Sequence, residues 1–151
     1  MVSCNNFALE ELMPLIRESI ADGRSVWLSP RGTSMLPMIR QGKDTVRLSP
    51  ITRPLKKYDL PIYQRENGQY VLHRIVKVGQ TYTCIGDNQY ELETGLKPEQ
   101  MIAVVTAFSR DGKKHQVTEL SHWLYCRLWH YSRPVRLFWR NVMWHLRRIF
   151  K

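Results

Sequence analysis

Tyr70-Val71-Leu72-His73-Arg74-Ile75-Val76-Lys77-Val78, then Gly79-Gln80, then Thr81-Tyr82-Thr83-Cys84-Ile85, is the stretch that decides the fold class. Two runs rich in β-branched and aromatic residues flank a two-residue turn, which is the pattern of a β-hairpin. Working outward, similar short runs at 25–28, 45–48, 60–63 and 101–108 predict further strands beside those at 70–78 and 81–85. Turn sequences separate them: Gln41-Gly42, Asn67-Gly68, Gly86-Asp87-Asn88 and Asp111-Gly112. Six short strands with hairpin-length connections predict a mainly β fold. The expected form is a small, coiled, barrel-like antiparallel sheet rather than a doubly wound α/β sheet.

On either side of this block the period changes. Leu9, Leu12, Met13, Ile16 and Ile20 recur at helical spacing, so a helix is expected over 7–21, with Asn6 to cap it, Pro14 to kink it or shift its start, and Gly23 to end it. Beyond about 118 the stripe Leu124, Leu128, Tyr131, Val135, Phe138, Val142, Leu146 and Ile149 predicts amphipathic helices. Ser132 and Pro134 mark a stop and a fresh start between two of them. The organisation read from the sequence is a domain over 1–118, including the helix at 7–21, and a helical tail over 119–151.

A chain of 151 residues with 43% hydrophobic and 24% charged residues can bury a core, which excludes wholesale disorder and low-complexity architectures. No apolar run exceeds five residues, against about 20 for a spanning helix and about 7 to 15 for a signal-peptide core. Neither a membrane span nor an export signal is expected. Cys4, Cys84 and Cys126 are odd in number, far apart and never in a Cys-x-x-Cys pair, so neither a disulfide framework nor a zinc site is expected. A reducing, cytoplasmic setting follows, with no metal and no organic cofactor.

Ser34 lies in Gly32-Thr33-Ser34-Met35-Leu36-Pro37-Met38-Ile39, between turn-forming residues just after a strand. A serine on a tight turn can act as a nucleophile while neighbouring backbone N–H groups bind an oxyanion. Thr33 and Met35 beside it are the candidates for the oxyanion hole and for positioning substrate. A serine hydroxyl needs a base to take its proton. His115, His122, His130 and His145 fall in a polar hairpin or the tail, leaving His73, expected inside the strand at 70–78 on one face with Val71 and Ile75. A carboxylate orienting that imidazole could be Asp87 in the Gly86-Asp87-Asn88 turn, or Glu91 or Glu93 in the loop just beyond.

Gly32-Thr33-Ser34-Met35-Leu36-Pro37, Gly42-Lys43-Asp44, His73-Arg74-Ile75 and Gly86-Asp87-Asn88, in that order, resemble the serine peptidase superfamily that joins type I signal peptidases with self-cleaving SOS-type repressors. The resemblance covers roughly residues 25 to 108. With His73 where other members carry a lysine, the chain looks like the Ser-His branch of endoplasmic-reticulum, archaeal and sporulation-type signal peptidases. The resemblance implies a peptidase fold of coiled antiparallel sheets, Ser34 as nucleophile, His73 as general base, and Asp87 or Glu93 as the third member. It departs from the pattern where Gly32 replaces a frequent serine, where Lys43 interrupts a Gly-Asp pair, and in lacking a transmembrane segment.

The net charge is +10, and its placement points to the tail. Residues 121–151 hold Arg127, Arg133, Arg136, Arg140, Arg147, Arg148 and Lys151 without a single acidic residue, together with four of the five tryptophans. Trp and Arg together suit the interfacial depth of an anionic membrane, with Trp139, Trp144 and Phe150 dipping inward. The expected activity is hydrolysis of a peptide or protein substrate, at the cytoplasmic side and peripherally on the inner membrane face through 119–151. Nucleic acid is not the expected partner. The competing readings are a non-catalytic module holding an extended peptide on a sheet edge, and a basic nucleic-acid-binding protein; for the tail itself the alternative is a pair of helices packed on the barrel or on a partner, with solvated arginines.

Overall fold

The computed structural model describes residues 9–149, excepting the side chains of residues 144 and 146–149. Cys4, the expected cap Asn6, the helix start at Phe7, and Phe150 and Lys151 lie outside the described residues. The chain forms two compact units, Met1–Val117 and Thr118–Lys151.

The first unit opens with α1 (Leu9–Ala21), which runs through Pro14 and buries Met13 and Ile16. Gly23, at φ +74°, ends it: Gly23 N–H bonds the Ile20 carbonyl and Arg24 N–H the Ser19 carbonyl, satisfying two last-turn acceptors as only a left-handed residue allows. The strands follow as β1 (Val26–Leu28), β2 (Thr45–Ser49), β3 (Pro61–Gln64), β4 (Tyr70–Leu72), β5 (Arg74–Val78), β6 (Tyr82–Ile85), β7 (Glu93–Leu96), β8 (Met101–Arg110) and β9 (Lys113–Gln116). All pairings are antiparallel.

One sheet has the order β1-β2-β8-β3-β4, and the other β5-β6-β7. The ten-residue β8 is the spine of the larger sheet: β2 pairs with its Val104–Ser109 side, β3 with Met101 to Val104, and β9 with Ala107 to Arg110. Asp111 and Gly112, both at positive φ, make the two-residue turn into β9 that an Asp-Gly pair favours. Register shifts at Arg47/Leu48, Ile62/Tyr63, Ile75/Lys77 and Tyr82/Cys84 bend the strands. The mainly β expectation holds, but the sheets do not close into a barrel.

The core lies between the sheets. Tyr63 and Val104 come from the larger one and Ile75, Cys84 and Leu96 from the smaller, with Leu55 joining them. Each such buried aliphatic or aromatic side chain contributes about 1.5–3 kcal/mol over its exposed state.

Two readings need correction. The single strand expected at 70–78 is two strands broken at His73, where the chain leaves β3 and takes β6 as its partner. Residues 73, 74 and 75 are all buried, so the alternation that would place His73 on one face with Val71 and Ile75 is lost there. Glu93 stands not in a loop but at the head of β7, a Glu-Thr-Gly-Leu strand without the β-branched run that marks strands.

The second unit contains α2 (Leu120–Tyr131) and α3 (Arg133–Ile149), separated at Ser132. Pro134 tolerates the first turn of α3 because no helical acceptor awaits its missing N–H. The Arg136 guanidinium donates to the Trp129 carbonyl at 2.7 Å and to Ser132 Oγ, tying the end of α2 to the start of α3. Among the described residues no helix is long and apolar enough to cross a membrane.

Candidate active site

Ser34 sits on the loop between β1 and β2, which is fastened at both ends. Beyond Ser34, the fully buried Asp44 accepts from the Arg40 backbone N–H at 2.9 Å and from its guanidinium at 2.9 and 2.7 Å. Arg40 holds the Asp44 carboxyl below its usual range, outweighing the opposing effect of burial. Before Ser34, Gly32 N–H donates to Gln41 Oε1.

The Gly86-Asp87-Asn88 turn grips the serine itself. Asn88 N–H donates to the Ser34 carbonyl at 2.8 Å, and Asn88 Nδ2 to the Thr33 carbonyl at 3.2 Å. A Cβ on residue 86 would stand 2.7 Å from that Ser34 carbonyl oxygen, so only glycine permits the approach.

His73 is 1% exposed at the β4–β5 junction. Its Nδ1 lies 2.9 Å from Glu93 Oε1 and 3.2 Å from the Tyr63 hydroxyl. The carboxylate only accepts, so Nδ1 carries the proton and Nε2 keeps its lone pair; this tautomer is assigned from the partners. Tyr63 is buried on β3, with its hydroxyl against the imidazole. Arg65, just beyond β3, forks onto Glu93: Nε to Oε2 at 2.8 Å and Nη2 to Oε1 at 2.5 Å.

The electrostatics follow from this geometry. Burial lowers the His73 pKa from its ordinary 6.5; the Glu93 charge pulls it up and Arg65 pushes it down, with a net lowering. Burial alone would raise Glu93, but the Arg65 fork and His73 outweigh it and keep the carboxylate below its usual range. The Tyr63 hydroxyl is pushed far up, first by burial and then by the adjacent carboxylate, so it stays protonated. Burial and Glu93 push the Cys84 thiol to about 12, leaving it unreactive at neutral pH.

Asp87 does not meet His73. It accepts from Arg74 Nε and Nη2 at 2.8 Å each, and both side chains of this pair are almost fully buried. Arg74 also donates to the Tyr58 carbonyl and to Met38 Sδ, so the pair ties the serine loop and the turn at 58–59 to the second sheet. Glu91 is exposed on the surface. Of the three acids weighed from the sequence, Glu93 is the one in contact with the imidazole.

Ser34 and His73 line one cleft of about 220 Å3, with Leu28, Met35, Ile62 and Arg65 among its walls. No hydrogen bond joins Ser34 Oγ to His73 among the described contacts, so the pair is open in this structure. Met35 is buried in the cleft wall, whereas Thr33 is exposed and outside the lining. Among the described residues no group of three or more His, Cys, Asp and Glu is placed to hold a metal ion.

Sequence reasoning missed Tyr63 and Arg65. Arg65 looks like a solvated turn cation beside Asn67-Gly68, and Tyr63 like core. Only the pairing of β3 with β4 and the docking of β7 make both neighbours of His73.

Comparisons with protein-family models, with curated proteins and with solved structures each return no match.

Proposed function

We propose that this chain is a serine endopeptidase that cuts peptide bonds through Ser34, His73 and Glu93. The observation carrying the reading is the 2.9 Å contact of His73 Nδ1 with Glu93 in the cleft that Ser34 also lines. It leaves Nε2 as the basic nitrogen, as acyl transfer requires. The ordered motifs around Ser34, His73 and Gly86-Asp87-Asn88, which resemble the Ser-His branch of the signal-peptidase superfamily, support the same reading.

In this mechanism Ser34 Oγ attacks the scissile carbonyl carbon while its proton passes to His73 Nε2. Glu93 stabilises the imidazolium that forms. The Ser34 and Met35 amides, which donate no hydrogen bond among the described residues, are the groups available to the oxyanion. The imidazolium then gives its proton to the leaving amine as the C–N bond breaks, and an acyl-Ser34 remains. Water attacks the ester as His73 takes its proton, and the imidazolium then returns that proton to Ser34 Oγ as the ester C–O bond breaks, releasing the carboxylic acid and restoring the hydroxyl. The edge strands β1 and β4 reach the cleft at Leu28, Val71 and Leu72, so an extended peptide can add to a sheet edge there.

Ser34→Ala, His73→Ala and the double variant test the reading on any peptide the wild type cuts. Nucleophile and base act as one unit, so each single loss should be large and the double no worse than either alone. A His73→Ala enzyme with near-normal turnover overturns the assignment.

A further inference from the structure

The second unit carries a surface that the proposed peptidase chemistry does not use. On α2, Leu120, Trp123, Leu124, Leu128 and Tyr131 follow helical spacing along one face and are between 43% and 70% exposed. The stripe continues beyond Ser132 through Val135, Phe138 and Trp139, at 57%, 64% and 60% exposed. Arg133, Arg136 and Arg140, spaced three and four residues apart, lie on the opposite side of α3. Exposed apolar area on this scale marks an interaction site.

The charge identifies the partner. Residues 121–151 hold seven Lys/Arg and no Asp or Glu, so the surface facing them is anionic. Arg127 stacks 3.6 Å over Trp123, and Arg136 3.7 Å over Trp129, which sets guanidinium groups beside aromatic rings. A protein partner or a second copy of this chain would cover the apolar stripe without needing so uniform a charge, and a nucleic acid would use the arginines and leave the stripe in water. An anionic lipid surface uses both at once: acyl chains take the rings and headgroups take the arginines. We propose that α2 and α3 form an interfacial membrane-docking element that lies in the headgroup layer of an anionic bilayer without crossing it.

The test is sedimentation of the full chain with vesicles of phosphatidylcholine alone and with a phosphatidylglycerol fraction. Binding should require the anionic lipid and weaken as salt rises. Arg140→Gln should reduce partitioning roughly fivefold, the effect of one basic residue near such a surface. Phe138→Asp should abolish it. Both variants should keep the wild-type circular dichroism and melting curve, because Arg140 and Phe138 lie on the exposed sides of α3. Equal binding to neutral vesicles, no binding to either kind, or a Phe138→Asp-sensitive dimer in light scattering would each overturn the proposal. So would retention of the chain by single- or double-stranded DNA in place of anionic vesicles.

Discussion

Replacing Glu93 by Gln removes one charge beside His73 and little volume. With 2.9 Å between Nδ1 and Oε1 and an effective dielectric of about 20, opposite unit charges attract by about 6 kcal/mol. Arg65 shares the same oxygen and the Glu93 side chain is 22% exposed, so about half of that attraction acts on the imidazolium. About 3 kcal/mol corresponds to roughly a 10²-fold fall in kcat/KM. A glutamine must also turn its NH2 either toward Arg65 or toward Nδ1, and in the second orientation it favours the wrong tautomer.

The pH profile gives an independent reading of the same substitution. Glu93 pulls the His73 pKa upward against burial. Its loss therefore moves the acid limb of kcat/KM to lower pH, while activity still rises with pH because only the neutral imidazole accepts the serine proton. The assay is kcat/KM from pH 4.5 to 8 on a peptide the wild type cuts, with urea unfolding as the fold control. A Glu93→Gln enzyme within threefold of wild type, or one with an unmoved acid limb, would refute the role assigned to Glu93.

Further outcomes follow from neighbouring contacts. Gly86→Ala places a Cβ 2.7 Å from the Ser34 carbonyl, so Ser34 must shift by about half an ångström; kcat should fall roughly tenfold with KM less affected, as stopped assays would show. Asp87→Asn leaves the buried Arg74 without its counter-charge; stability should drop by about 3–5 kcal/mol in urea titration. In the wild type, the unfolded chain protonates its histidine near pH 6.5, before folded His73 does. Glu93 and Asp44 stay ionised in the fold below the ordinary carboxylate values of 4.5 and 3.8. Stability should therefore be level between about pH 7 and 8, begin to fall below 6.5, and fall more steeply below about 4.5, as urea titrations across that range would reveal.

Local signals revealed most of the fold. The Asp111-Gly112 hairpin, the Gly23 helix stop and the break at Ser132 each depend on residues whose backbone preferences act within a few positions. What escaped was tertiary. His73 ends one strand and precedes another because β4 pairs with β3 while β5 pairs with β6, and no alternation pattern within 70–78 encodes that exchange. Ser34, His73 and the acidic trio were legible as chemistry-bearing residue types. The sorting of Asp87 to Arg74 and of Glu93 to His73 depends on how the two sheets face each other, which residue spacing does not carry. Glu93 was hidden further because β7 forms by pairing with β6 despite poor strand propensity of its own.

The most direct test of the central claim exposes a degenerate peptide library to wild-type protein and to Ser34→Ala purified in the same way, with products read by mass spectrometry. The account predicts defined cleavages by the wild type that fall at least about 10³-fold in Ser34→Ala. A library left intact by the wild type, or cut equally by both proteins, would contradict it.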